Sequence, residues 1–141
     1  MRTCICSPCG ILGYGFPQES FQLALAEKPD AIVVDAGSTD AGPHKLGAGV
    51  AIVSRMAAKK DLRLLMQGAR ELDIPLVIGS AGGSGAHIHT EWTLSIIREL
   101  CDEMDWHPKT AVIWADISNE VILDAMAQGR IEKMSENVPD L

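Results

Sequence analysis

Apolar positions along the chain alternate between two kinds of run. Ala31–Val34, Leu76–Gly79 and Ala111–Ala115 are short and continuous. Such runs suit strands buried on both faces of a parallel sheet. Arg2–Ser7 reads as a further, first strand. Between the runs lie longer segments with apolar residues at helical spacing. Phe21, Ala24 and Leu25 mark a helix over 17–27, with Pro17 suited to its first turn. Leu62, Leu65, Met66 and Ala69 mark a second over 55–72, with Ser54 as N-cap. Leu94, Ile97 and Cys101 mark a third over 91–104, capped by Thr90. A fourth starts at Ser118 or Asn119 and runs to about Gln128, where Gly129 stops it. The order predicts an α/β fold: a Rossmann-like open parallel sheet of about four strands, helices on both faces, right-handed crossovers. Residues 1–130 form one domain on this reading, and 131–141 a polar tail.

Composition narrows the function. The chain has 141 residues, 47% hydrophobic and 22% charged, within the range of an ordinary globular domain. Its net charge of −7 argues against a nucleic-acid partner, which needs clustered cations. No apolar run approaches the roughly 20 residues of a membrane span, so no membrane partner is expected. The N-terminus lacks a signal-peptide core, which predicts a cytoplasmic, reducing location without disulfides. Cys4 and Cys6 then read as core residues on one face of the first strand. Cys9, past that strand, is the cysteine placed for reactivity or ligation.

The polar chemistry gathers in three loops, each leaving the C-terminal end of a predicted strand. Parallel sheets bind ligands along that edge. The first loop, 36–49, starts beside Asp35 and holds Gly37, Ser38, Thr39, Asp40 and His44. The second holds Gly79, Ser80, Gly82, Gly83, Ser84, His87 and His89. The third begins at Asp116. Four glycines within 79–85 would let backbone N–H groups approach an anion. The loop matches neither the dinucleotide nor the P-loop fingerprint, so no NAD or ATP is expected. Gly82-Gly83-Ser84-Gly85-Ala86 fails the nucleophile-elbow pattern at Ala86, which disfavours a serine triad. Proton transfer falls to Asp35, Asp40, His44 and His87. Substrate binding falls to Gly37, Ser38, Thr39, Gly79, Ser80, Gly82, Gly83, Ser84 and Asp116, and to Arg55 at the head of its helix. No cofactor is specified; if a divalent metal is bound, Asp35, His87 and His89 are the ligand set. Lys59, Lys60 and Arg63 read as a solvated face. Trp92, Trp106 and His107 read as structural.

Three segments resemble the N-terminal part of the acyclic terpene utilisation (AtuA-like) family. They are Ser7–Phe16, the Val34-Asp35-Ala36-Gly37-Ser38-Thr39-Asp40 turn and the Ile78-Gly79-Ser80-Ala81-Gly82-Gly83 turn. The resemblance runs over about positions 7–130. It implies a Rossmann-like domain of a catabolic enzyme acting on a small anionic acyl or carboxylate substrate, in some relatives an acyl-CoA thioester. The resemblance specifies no reaction; the expected chemistry, hydrolase or lyase, rests on the carboxylates and histidines of the three loops. Members of that family are usually several hundred residues long, so the chain would correspond to an N-terminal portion, a short relative or one subunit of a split enzyme. The expected partners are therefore the small anionic substrate and a second copy or partner subunit. Two other readings are a non-catalytic ligand-binding module and a metal-dependent hydrolase.

Overall fold

The computed structural model describes residues 2–37, 42–133 and 135–137. Among them, three strands form a parallel sheet in the order β1 (Ile5–Cys6), β2 (Ala31–Asp35), β3 (Leu76–Gly79). Cys6 pairs with Ile32, Ile32 with Leu76 and Val34 with Ile78. Five α-helices accompany it: α1 (Gln18–Ala26), α2 (Gly42–Ala48), α3 (Arg55–Leu72), α4 (His87–Met104) and α5 (Asn119–Ala127).

Capping fixes several ends. Ser54 Oγ accepts from Ala57 N–H at the head of α3, and Ser118 Oγ accepts from Val121 N–H at the head of α5. Asp73 and Asp105 close α3 and α4 in the left-handed conformation. Gly129, at φ +64°, follows α5.

Successive strands step the same way across the sheet. Right-handed crossovers then place their helices on one face, and the core lies there. Cys6, Ile32 and Val34 meet Phe21 and Leu25 of α1, Leu62 and Leu65 of α3, and Ile96 and Leu100 of α4. Phe21 and Leu25 seat α1 against α3 at Gly68. Each such side chain contributes about 1.5–3 kcal/mol on burial.

The opposite face is open. Ile5 is 51% exposed, Val77 is 49% exposed, and Val33 between them is half-buried. The expected helices on both faces are thus replaced by a one-sided layer. Continuous apolar runs mark strands suited to burial on both sides, but the second covering layer is not formed among the described residues.

The predicted fourth strand is also not formed. Ala111–Ala115 makes no ladder with β3, and Ile113 is 90% exposed. Its C-terminal end is held by the turn after β3 instead, where Ala115 N–H donates to Gly85 O at 3.0 Å. Cys4 departs from expectation as well. The first strand is two residues long, so Cys6 is buried while Cys4 is exposed before it. Two further differences touch the loops. Gly42–Ala48, read as loop, is helical. Helix α4 begins at His87, three residues before the expected cap Thr90, because Asp116 supplies the cap from another segment. No helix among the described residues is long and apolar enough to cross a membrane.

Candidate functional site

The C-terminal ends of β2 and β3 lie side by side, so their two turns meet. Asp35 Oδ1 accepts from Gly37 N–H at 2.8 Å, an Asx turn. A Cβ at position 37 would fall 2.6 Å from Ser80 Cβ and 3.2 Å from Asp35 Oδ1. Glycine therefore lets Asp35 and Ser80 flank the same point. Ser80 is exposed and sits in the left-handed region at φ +49°, which costs a non-glycine residue about 1–3 kcal/mol.

After β3 the chain makes a 3-10 turn over Ala81–Gly83 and enters α4. Four consecutive N–H groups there are used internally. Gly83 donates to Ser80 O at 2.8 Å, and Ser84 and Gly85 donate to Ala81 O. Ala86 donates to Ser84 Oγ at 3.2 Å. The glycines serve close packing: a Cβ at Gly82 would lie 2.2 Å from His89 O. Gly83 packs against the His89 ring, with its Cβ position 3.9 Å from Cδ2.

The two histidines of this segment part company. His87 is exposed and tilts its ring over Trp114, centroids 4.6 Å apart. Its N–H donates to Asp116 Oδ2 at 2.8 Å, so Asp116 stabilises the start of α4. His89 is 2% exposed. Its Nδ1 lies 2.9 Å from Ser84 Oγ, and its Nε2 has no hydrogen-bond partner among the described residues.

Beside this edge is a cavity of about 700 Å³. Leu76 and Ile78 of β3, Leu94 and Ile97 of α4, and Trp106 form its apolar walls. Segment 108–115 closes one side, Ser80, Ser84 and Gly85 line the cavity from the turn after β3, and Asp73, Thr90, Thr93, Lys109 and Thr110 line it as well. Ligand pockets typically have 300–1,000 Å³ and this mixture of apolar wall and few polar groups.

The other expected site residues lie elsewhere. His44 is exposed on α2. Arg55 bonds Ser95 Oγ and Glu99 on α4 at 2.7 Å each, at the head of an ion ladder that continues through Lys59, Glu103 and Arg63. The guanidinium is thus held by the α3–α4 seam. Ser38, Thr39 and Asp40 lie outside the described residues. Among the described residues no three His, Cys, Asp or Glu side chains come together as a metal site, and Asp35, His87 and His89 do not form one. Burial, then the charge of Asp61, pushes the Cys9 thiol up, which disfavours the reactive thiolate.

Two features lie outside what the pattern predicts. Buried Asp61 on α3 accepts from Gly13 and Gly15 N–H at 2.8 and 3.0 Å, pinning the glycine-rich 10–16 loop. A charged residue interrupting a buried helical stripe was its only signal. The Ser84–His89 pair had a signal too, in i, i+5 spacing across a turn into a helix, but that spacing is common. Comparison with protein-family models, curated proteins and solved structures finds no match.

Proposed function

We propose that the chain is an AtuA-like catabolic enzyme or its N-terminal active-site portion, and that the cavity holds a small acyl or carboxylate substrate. The observation that carries this reading is the cavity's polarity. Its apolar walls of Leu76, Ile78, Leu94, Ile97 and Trp106 fit an acyl chain, and Ser80 and Ser84, among its polar lining residues, are the candidate partners of the carboxylate or thioester head. Asp35, beside Ser80 at the sheet edge, is the candidate acid or base for hydrolase- or lyase-type chemistry.

Thermal unfolding with saturated carboxylates and their acyl-CoA thioesters tests the binding step. A ligand at about 100 times its Kd stabilises by about 2.7 kcal/mol, a shift of several degrees for a domain of this size. The expected outcome is stabilisation that grows with chain length until the cavity is filled. Absence of any shift up to the solubility limit sinks the reading. For the chemistry, Asp35→Asn should abolish release of free thiol from acyl-CoA with the unfolding midpoint held near wild type; retained turnover removes Asp35 from the mechanism.

A second reading is supported by the open sheet face and by α5, which buries none of its residues. In it, the chain is the ligand-binding subunit of a larger enzyme. Acyl-CoA binding without thiol release would favour this subunit role.

A further inference from the structure

We infer that Ser84 is an obligate hydrogen-bond donor into the cavity, held in that role by the buried imidazole of His89. This deepens the acyl-binding reading and rests on it.

A serine hydroxyl has one hydrogen to give and two lone pairs to receive with. One lone pair of Ser84 Oγ takes the Ala86 N–H. The bond to His89 Nδ1 then has two forms. If Nδ1 is bare, Ser84 donates to it, and the ring hydrogen sits on Nε2. That leaves a buried N–H with no acceptor among the described residues. If Nδ1 carries the hydrogen, it donates to Ser84 Oγ, and Nε2 is a bare acceptor. Buried N–H groups without partners are rarer in proteins than under-satisfied acceptors. The Nδ1–H form is therefore the favoured one. Both lone pairs of Ser84 are then filled, and only its hydrogen remains to give. Ser84 lines the cavity, so that hydrogen is the one Ser84 offers to a ligand.

The chemical consequence is selectivity. A head that only accepts, such as a carboxylate, thioester or ketone oxygen, satisfies Ser84. A head that only donates, such as an ammonium, meets a second donor. In the same tautomer His89 is no base for a Ser84 nucleophile, because its Nδ1 already carries a hydrogen, donates it in a hydrogen bond to Ser84 Oγ and has no lone pair to take the serine proton. His89 is a positioning residue.

Two measurements test this. The first is the ring ¹⁵N spectrum of His89 in the free protein, where a protonated Nδ1 and bare Nε2 are expected. A ring with a bare Nδ1 overturns the assignment, whatever the cavity binds. The second compares octanoate with octylammonium by tryptophan fluorescence. The ratio of their affinities should fall about tenfold in Ser84→Ala, the size of one hydrogen bond to a charged group. Long-range charge cancels in that ratio of ratios. His89→Asn, whose amide N–H stands near the place of Nδ1–H, should keep the wild-type ratio, and His89→Leu should lose it. If His89→Leu fails to fold, Ser84→Ala and His89→Asn carry the comparison. An unchanged ratio in Ser84→Ala overturns the proposal. If neither probe binds the wild type, the acyl reading fails, and the tautomer alone decides whether Ser84 is a donor.

Discussion

Gly82 and Gly10 are both loop glycines, and the fold constrains them very differently. Gly82 has φ +72°, and a Cβ there would run into the His89 carbonyl. Gly10 has nothing within 4 Å of its Cβ position. Gly82→Ala should cost about 2 kcal/mol or more, and Gly10→Ala should stay within about 0.5 kcal/mol. Urea unfolding of the two variants checks this. Asp61 makes a comparable contrast with Asp35, whose Asx turn is local. Asp61→Ala leaves two loop N–H groups without their buried acceptor, and a loss of about 1–3 kcal/mol is expected in the same measurement. At this scale the sequence marked a neighbourhood and not its contacts. It singled out the 79–89 loop and its histidines. It could not say that His87 faces solvent and His89 the interior, because that depends on where α4 begins. The start is set by Asp116, 29 residues away.

Elements hold together by two different means. The α3–α4 contact has an apolar side, with Leu65 and Leu100 fully buried, and a charged side, the ladder of Arg55, Glu99, Lys59, Glu103 and Arg63. Bonds to Lys59, then to Arg55 and Arg63 respectively, hold Glu99 and Glu103 below the ordinary carboxylate value of 4.5. Bonds to Glu103 and Glu99 raise Lys59 above its ordinary 10.5. The signs follow from linkage. The carboxylates' contribution is present above pH 4.5 and is lost as pH falls through their lowered folded values. That of Lys59 is present below pH 10.5 and is lost as pH rises through its raised folded value. An NMR titration should therefore find both glutamate midpoints below 4.5. Added salt should move them back toward it, since these side chains are solvated. The apolar side is less forgiving: Leu65→Ala should cost about 2–5 kcal/mol. Ile113→Ser, on the exposed 111–115 segment, should cost less than about 0.5 kcal/mol. That last contrast separates a strand-like sequence from a strand. The run Ala-Val-Ile-Trp-Ala has strong β-propensity, but such propensity reports fit to a half-buried pleated surface, and this segment is bonded to a turn.

At the scale of the whole molecule, the cavity belongs to no single element. It is walled by α3, β3, α4 and the 106–115 segment, and Trp106 stands in the wall with Arg70 near its ring at 5.8 Å. A bound acyl chain should change Trp106 emission. Trp106→Phe should remove most of that change while the thermal shift by the same ligand persists.

The sequence by itself determined the α/β class, the bounds of α3 and β3, the Ser54 cap, the start of α5 to within Ser118 or Asn119, and the apolar face of α3. These follow from periodicity and capping, which are local and act within a few residues. Only the tertiary structure decided how many strands pair, which face of the sheet is covered, and which polar groups meet. Ser80 against Gly37, Ser84 against His89 and Asp116 against α4 are contacts between turns and helix ends that the parallel topology brings to one edge. Periodicity carries no information about such pairings, because each depends on where separate elements come to rest.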